Sequence, residues 1–265
     1  MYKGLIDSTV CFIDILGFSN MITNEFEKGK GEVLFKNFYS IITDIYKWMK
    51  ETNKINGEIK IFTDNIILGK PIRDDGESEL GSIFTTISEY QLQLALEGLF
   101  VRGGITTGLH YMDDDIVFGP ALIEAYNLES KEANVPRVIL SESAVELVKE
   151  HVKYYSKNYK SPQESDLLID SDGNWFINYL EASIIDYSEE SYEIAIDCIK
   201  KHKKIVENKL DCYKNNSKIF SKFLWVANYH NYFCSYRFKG FDELLINSDR
   251  MTTKPRVIDR LTDIV

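Results

Sequence analysis

Ten residues, Val10-Cys11-Phe12-Ile13-Asp14-Ile15-Leu16-Gly17-Phe18-Ser19, combine an apolar run of β type with a single aspartate near its end. Gly17 then allows a turn, and Phe18 and Ser19 open a predicted helix. Backbone N–H groups converge on an anion at such a strand-to-helix turn. Asp14 is therefore a candidate ligand for a phosphate-bound metal. Taken alone, the stretch favours the simpler alternative, an aspartate that caps the turn or the helix.

A second carboxylate lies in Ile59-Lys60-Ile61-Phe62-Thr63-Asp64-Asn65-Ile66-Ile67-Leu68-Gly69. Strands are predicted over 58–63 and 66–68, with the turn at Asp64-Asn65, two residue types that tolerate turn conformations. In a split βαβ sheet the first strand lies beside the third, so Asp64 is expected beside Asp14. Alone, Asp64 would be a turn residue, but the two acids together predict a site for a divalent metal.

Lys60, Phe62 and Asp64 alternate along one predicted strand, so their side chains can share one face of the sheet. A lysine, an aromatic ring and a carboxylate would then line one cleft. A surface lysine beside a core phenylalanine explains the same pattern equally well.

Arg102 interrupts the otherwise apolar strand predicted over 100–108, directly before Gly103-Gly104. An arginine in this position either pairs with a core carboxylate or binds a phosphate bidentately. The acids on the following helix, Glu124 and Glu129, are expected to be solvated or to face a dimer partner.

The order of the predicted elements is β-α-β-β-α-β, which indicates an α+β fold of the ferredoxin-like (split βαβ) type. Besides the strands above, we expect a first strand over 9–15, helices over 33–48 and 83–97 with an acidic loop over 73–81 before the second, a further helix over 121–132 and a strand over 137–140.

After about residue 150 the predicted elements no longer follow the β-α-β-β-α-β order. A polar loop is predicted over 153–165, a hairpin over 167–179, and two long helices over 189–213 and 217–236. We therefore divide the chain into a core, 1–150, and a C-terminal extension, 151–265, packed on the core or on a dimer partner. Trp225 and His230 in the last helix are predicted to be packing or dimer residues rather than catalytic ones.

The 265 residues carry a net charge of −10, which disfavours binding to a nucleic acid polymer. The 44% hydrophobic content is ordinary for a globular protein. Four cysteines show no disulfide or metal spacing. Neither a membrane span nor a signal peptide is recognisable, so we expect a cytoplasmic protein without a membrane partner.

Four segments, in order, resemble the catalytic domain of the class III nucleotidyl cyclases, over about residues 8 to 150. They are Phe12-x-Asp14-x-x-Gly17-Phe18, Lys60-Ile61-Phe62-Thr63-Asp64, Arg102-x-Gly104-Ile105-x-Thr107-Gly108 and the stretch 119–129. The resemblance implies that Asp14, Asp64 and the backbone of Ile15 bind two Mg²⁺ or Mn²⁺ ions. One ion would activate a ribose 3′-hydroxyl for attack on the α-phosphate, and pyrophosphate would leave. It further implies a head-to-tail homodimer with two shared active sites.

The chain departs from the purine cyclases of that family at four positions. Ile123 and Asn127 stand where the transition-state asparagine and arginine are usual, Ile116 replaces an adenine-reading aspartate, and Thr63 replaces the glycine before the second aspartate. A purine-cyclase mechanism therefore does not transfer directly.

Three stretches look more like the pyrimidine cyclases of bacterial antiphage Pycsar systems. They are Arg102-Gly103-Gly104-Ile105, Phe118-Gly119-Pro120-Ala121-x-x-Glu124-Ala125-Tyr126-x-Leu128-Glu129 and Trp225-x-x-x-Tyr229-His230-Asn231. This likeness implies a lyase that converts a pyrimidine nucleoside triphosphate, UTP in preference to CTP, to the 3′,5′-cyclic monophosphate. The cyclic product would activate a separate effector.

On that basis each candidate site residue has an expected role. Arg102 would stabilise phosphate charge in place of the missing helix arginine. Lys60 would contact the base and Phe62 would narrow its pocket, while Gly17 and Phe18 would help to bind the substrate. The alternatives are a purine cyclase with unusual base contacts and a catalytically inactive cyclase-like domain that senses nucleotides.

Overall fold

Nine strands of the described residues form one hydrogen-bonded sheet with the order β2-β3-β1-β4-β6-β8-β7-β9, and β5 pairs with β4. The computed structural model describes residues 4–52, 58–155, 159–184, 188–247 and 258–260. The strands are β1 (Ile6–Ile15), β2 (Glu58–Phe62), β3 (Asn65–Pro71), β4 (Val101–Met112), β5 (Val117–Phe118), β6 (Val138–Leu140), β7 (Leu167–Asp170), β8 (Trp175–Ile177) and β9 (Ile258–Arg260). The helices are α1 (Phe18–Glu27), α2 (Gly31–Thr52), α3 (Glu77–Leu96), α4 (Pro120–Asn127), α5 (Glu142–Val152), α6 (Gln163–Asp166), α7 (Glu189–Tyr213) and α8 (Ser217–Arg237).

The first four strands have the predicted split βαβ arrangement. β1 pairs antiparallel with β3 on one side and with β4 on the other, and β2 pairs antiparallel with β3. α1 and α2 connect β1 to β2, and α3 connects β3 to β4. The prediction of an α+β fold with ferredoxin-like strand order is confirmed.

Several element boundaries differ from the prediction. α3 begins at Glu77, six residues earlier than predicted, because Glu77 and Glu79 lie in its first turn, where acids favour the positive end of the helix dipole. The predicted acidic loop is therefore shorter. The predicted loop over 153–165 contains the start of α6, and the predicted helix over 121–132 is α4 followed by a π-helical turn, Leu128–Glu132.

The helix predicted over 33–48 lies inside α2. Three of its predicted apolar positions, Ile45, Trp48 and Met49, have side chains outside the described residues. The other members of the stripe that pack on the core are partly buried: Phe38, Ile41 and Ile42.

The predicted hairpin and both long helices after residue 150 are present as β7, β8, α7 and α8. β8 pairs with β6, so the sheet continues beyond the first 150 residues. Buried Arg137, next to β6, forms ion pairs with Asp170 and Asp172, and the Trp225 Nε1–H donates to Asp170 Oδ2 at 2.7 Å. None of the helices in the described ranges has the length and apolar character needed to cross a bilayer.

Trp225 and His230 are buried, which confirms their predicted packing role. His230 belongs to a buried hydrogen-bonded chain between α7 and α8. Its Nε2 lies 2.9 Å from the carbonyl oxygen of Leu244, and its Nδ1 lies 3.0 Å from Nδ1 of His202. The second ring nitrogen of His202 lies 2.9 Å from the hydroxyl of Tyr179.

Only one set of proton positions satisfies this chain. The carbonyl of Leu244 must accept, so His230 carries its proton on Nε2 and accepts at Nδ1. His202 then donates from Nδ1 and accepts at Nε2 from the Tyr179 hydroxyl. An added proton on either imidazole would place two N–H groups against each other or against the tyrosine donor.

We therefore expect acid to destabilise the fold through the His202–His230 pair. Burial lowers the pKa of His230 from 6.5 to about 4 and lowers that of His202, on which the His230 charge also acts. A depressed folded-state pKa gives stability that is present above pH 6.5 and is lost as the pH falls toward 4. His230 alone accounts for a loss of about 2 kcal/mol in unfolding free energy between about pH 7.5 and about pH 5.

Urea unfolding of the wild type and His230→Gln at both pH values measures this effect. Glutamine can donate to the Leu244 carbonyl and accept from His202 without titrating at position 230. We expect a smaller acid-dependent loss in the variant. Equal losses in both proteins would contradict the assignment.

Candidate active site

Asp14 and Asp64 meet at one end of the sheet. Asp14, near the end of β1, lies opposite Asn65 of β3 and opposite Arg102 of β4. Asp64 immediately precedes β3, and a hydrogen bond between the Asp14 and Asp64 carboxyl groups contributes to the raised pKa of Asp14. The predicted juxtaposition of the two aspartates is therefore present.

The turn that carries Asp64 lies one residue earlier than predicted. Phe62 pairs with Asn65, so the turn residues are Thr63 and Asp64, and Asn65 already belongs to β3. Thr63 has a φ of 56°, a left-handed conformation that is strained for a β-branched residue. This conformation explains why glycine is suited to the position. The Thr63 hydroxyl in turn donates to Asp64 Oδ1 at 2.8 Å and holds that carboxylate.

Arg102 pairs with carboxylates, the first of the two alternatives that its sequence position left open. Its Nε lies 2.7 Å from Glu129 Oε1, a contact close enough for an ion pair but poorly aligned as a hydrogen bond. The same guanidinium makes longer contacts of 3.4 Å with Asp14 Oδ2. Arg102 thereby links Glu129 to the aspartate pair.

The expectation that Glu129 is solvated is wrong, because its side chain is only 4% exposed. Glu129 lies in the π-helical turn after α4 and follows buried Ala121 and Ala125 at intervals of four residues. That spacing places all three positions on one helix face, so the sequence held the signal for burial. Glu124 is exposed, as expected, although it accepts a hydrogen bond from Thr106 at 2.9 Å.

The close approach of α4 to the sheet depends on Gly104. A Cβ there would lie 2.5 Å from Cβ of Leu128 and 2.6 Å from the carbonyl oxygen of Ala125. Any larger residue would push the helix outward. Glu129, one residue after Leu128, would then move away from Arg102.

Negative charge is in excess at this site. Burial, then the charge of Glu129 and the hydrogen bond and charge of Asp64, together raise the pKa of Asp14 to about 7, against the opposing effect of Arg102. Burial also raises the pKa of Glu129, again against the effect of Arg102. Three carboxyl groups thus share one guanidinium, and a divalent cation would relieve their repulsion.

The residues present fit a divalent metal held mainly by its substrate. Within the described ranges no group of three or more His, Cys, Asp and Glu side chains is arranged to hold a metal ion. Mg²⁺, however, is commonly bound by one or two carboxylates together with substrate phosphates. Asp14 and Asp64 supply such a pair, and Ile15, the last residue of β1, supplies the adjacent backbone.

Gly17 and Phe18 lie between the aspartate and α1. Gly17 has a φ of 78° and precedes the first residue of the helix, as the turn prediction requires. Phe18 is buried, with its ring centroid 4.7 Å from that of Phe38. Its side chain packs inward, so a ligand here would contact backbone N–H groups rather than the Phe18 ring.

Lys60 and Phe62 occupy the outer strand of the same end of the sheet. Phe62 is 74% exposed, so the alternative of a core phenylalanine is wrong. Lys60 lies opposite Ile67, which lies opposite Phe12, two residues before Asp14. The ammonium group of Lys60 donates to the backbone carbonyl of Asp114 in the turn between β4 and β5.

The side of the sheet that bears Asp14 is partly apolar on its outer surface. Phe12 and Tyr126 of α4 make an edge-to-face ring contact at 5.4 Å, which places α4 on this side. Phe62, Ile123 and Tyr126 are each at least half exposed here. We call Phe62, Ile123 and Tyr126 the apolar surface.

Comparisons with known proteins give remote similarities. No protein-family profile matches the chain, and no curated protein matches it. A class III adenylyl cyclase-like ATP-binding protein from Pseudomonas aeruginosa matches over 59% of this chain and 38% of its own, with 13% identity and a TM-score of 0.43. This chain thus spans well under half the length of that protein.

Two further solved structures show similarity of the same order. The guanylyl cyclase Cya2 matches over 67% of this chain and 94% of its own, with 17% identity and a TM-score of 0.43. An adenylate/guanylate cyclase/hydrolase from Silicibacter pomeroyi matches over 56% and 82%, with 17% identity and a TM-score of 0.38. The fold assignment rests on the strand order and register given above.

Replacement of Thr63 tests whether the turn is strained. Thr63→Gly relieves the left-handed strain but loses the hydroxyl, whereas Thr63→Val loses the hydroxyl and keeps the strain. We expect the glycine variant to be the more stable of the two by about 1 kcal/mol or more. Thermal unfolding measures the difference, and a more stable valine variant would contradict the turn geometry.

Proposed function

We propose that the protein converts a nucleoside triphosphate into its 3′,5′-cyclic monophosphate and pyrophosphate, with residues 1–150 as the catalytic core. The observation that carries the proposal is the Asp14–Asp64 pair at one end of a split βαβ sheet, with Arg102 and buried Glu129 beside it. Two adjacent half-buried carboxyl groups with one shared cation have no evident structural benefit. They do suit a phosphate-bound metal.

In this reaction the 3′-oxygen forms a bond to the α-phosphorus while the bond from that phosphorus to the pyrophosphate oxygen breaks. Asp14, Asp64 and the Ile15 carbonyl would hold Mg²⁺ or Mn²⁺, which lowers the pKa of the 3′-hydroxyl and neutralises phosphate charge. Gly17 and the N–H groups that follow it would bind phosphate oxygens. Glu129 would fix Arg102 against Asp14, so that the pair of aspartates keeps its position. The proton of the hydroxyl leaves to solvent.

We further propose a pyrimidine substrate, with UTP ahead of CTP. The support is Ile116 in place of an adenine-reading aspartate and the loss of the purine cyclases' transition-state groups at Ile123 and Asn127, together with the ordered resemblance of the motifs. The cyclic product would act as a second messenger for a separate effector in antiphage defence, in the cytoplasm. Lys60 and Phe62 would form the base-binding part of the site.

A catalytically inactive nucleotide sensor is the second candidate. The engagement of Arg102 by Glu129 favours it, because a neutralised guanidinium stabilises phosphate charge less well. A cyclase that accepts purines is the third. Turnover and product identity separate all three.

Incubation of the purified protein with Mn²⁺ and each of ATP, GTP, CTP and UTP, with products identified by mass, tests the proposal. We expect pyrophosphate and a cyclic pyrimidine monophosphate, with cyclic UMP favoured over cyclic CMP. Asp14→Asn and Asp64→Asn should each lower turnover by about 10²-fold or more, because each removes a charged metal ligand. Asp197→Asn on the exposed side of α7 is the matched control and should leave turnover unchanged.

Each other result selects a different function. A cyclic purine product would discard the pyrimidine and antiphage assignments but keep the cyclase. Nucleotide binding without any product would favour the sensor. Full turnover in either aspartate variant would overturn the metal assignment.

We also propose a head-to-tail homodimer with two shared sites. The apolar surface lies on the side of the sheet that bears Asp14, and burial of such a surface in a partner would stabilise association. Lys60 is aligned through Ile67 with Phe12, two residues before Asp14, and its ammonium group donates to the Asp114 carbonyl of its own chain. Its contact with the base would then be made in the partner's site.

Mixing two inactive variants tests the shared site. Asp14→Asn and Lys60→Met should each be inactive alone, but their mixed dimer contains one intact site. An equimolar mixture that exchanges subunits should recover about a quarter of the wild-type activity. A mixture that stays inactive, with mixed dimers shown by native mass spectrometry, would place all site residues in one chain.

A further inference from the structure

The first half of α8 lies at the same end of the sheet as the aspartate pair. The ring of Phe223 packs edge-to-face on Phe100, with centroids 5.3 Å apart. Phe100 directly precedes β4, and its carbonyl accepts from the backbone N–H of Leu16 at 2.8 Å. The place where β1 ends and β4 begins is therefore covered by α8.

Lys222, next to Phe223, brings a cation to this place. Its pKa is lowered by burial first and then by the charges of Arg102 and Lys218, while Asp14 opposes them. The ammonium group is thus within electrostatic range of both Arg102 and Asp14. Among the residues that the structure describes, Lys222 has neither a hydrogen-bond nor an ion-pair partner. A half-buried ammonium without such a partner is costly and favours an anion beside it.

Of the two cations Arg102 and Lys222, only Lys222 is not already paired with a carboxylate in the described residues, so it is the one available to a bound anion. Arg102 is engaged by Glu129 at 2.7 Å and by Asp14 at 3.4 Å. Lys222 has no comparable carboxylate contact in the described part of the chain. Lys218 lies four residues earlier on α8, so both lysines share one helix face.

We infer that Lys222, assisted by Lys218, binds the terminal phosphates of the triphosphate substrate. This inference rests on the proposed function and adds a role for residues after 150. The aspartate pair would lie by the α-phosphate, and the lysines would lie by the β- and γ-phosphates. When the bond to the α-phosphorus breaks, negative charge grows on the departing pyrophosphate, and a fixed cation there stabilises it.

Binding of inorganic triphosphate in the presence of Mn²⁺, measured by calorimetry, tests the inference without turnover. Lys222→Gln should weaken binding about tenfold or more, as expected for the loss of a charged hydrogen bond to phosphate. Lys222→Arg should stay within about threefold of the wild type because the cation is kept. Lys204→Gln, an exposed lysine of α7, is the matched control and should bind as the wild type does.

Binding of UMP under the same conditions should change little in Lys222→Gln, because UMP lacks the terminal phosphates. Circular dichroism and recovery in Lys222→Arg separate a lost contact from a lost fold. Triphosphate binding equal to that of the wild type in Lys222→Gln would overturn the inference, and so would a wild type that does not bind triphosphate. A wild type that binds triphosphate through Lys222 but forms no cyclic nucleotide would refute the cyclase and keep this contact.

Discussion

The double pairing of β1 is the constraint on which the site depends. β1 is hydrogen-bonded to β3 and to β4 over most of its length, so Asp14 has a fixed neighbour on each side, Asn65 and Arg102. A slip of one residue in either pairing would turn Asp14 to the other side of the sheet. The buried face of β1, which includes Cys11, Ile13 and Ile15, opposes such a slip because those side chains would lose their core contacts.

This precise register collects charge that the folded chain balances only in part. Asp14, Asp64 and Glu129 have one close guanidinium between them, and the carboxyl groups raise the pKa of Asp14. This repulsion disfavours the unliganded state, and binding of the proposed metal ion and phosphates would relieve it. Elsewhere in the described residues, buried charge and polarity are paired: His202 contacts His230, and Arg137 forms ion pairs with Asp170 and Asp172.

Much of this arrangement could be predicted from the sequence, because alternating apolar residues and turn residues determine strand order locally. The β-α-β-β-α-β order alone predicts that Asp14 and Asp64 lie side by side. The predicted position of the β2–β3 turn was wrong by one residue. Turn propensity favoured Asp64-Asn65, whereas strand pairing places strained Thr63 and Asp64 in the turn. Glu129 was missed because its acidic type outweighed its spacing from buried Ala121 and Ala125.

Lys222 could not have been found in the same way. It lies 120 residues after Arg102 in the chain, on a helix whose aromatic residues indicate only that it packs somewhere. The packing of Phe223 on Phe100 selects which end of the sheet α8 covers, and that choice depends on tertiary contacts. The pairing of β8 with β6 and the contact of Trp225 with Asp170 hold the segment in place. The same contacts that stabilise residues after 150 therefore determine where their cations lie, so in the proposed site these residues would contribute beside Asp14 and Asp64 of the first 150 residues.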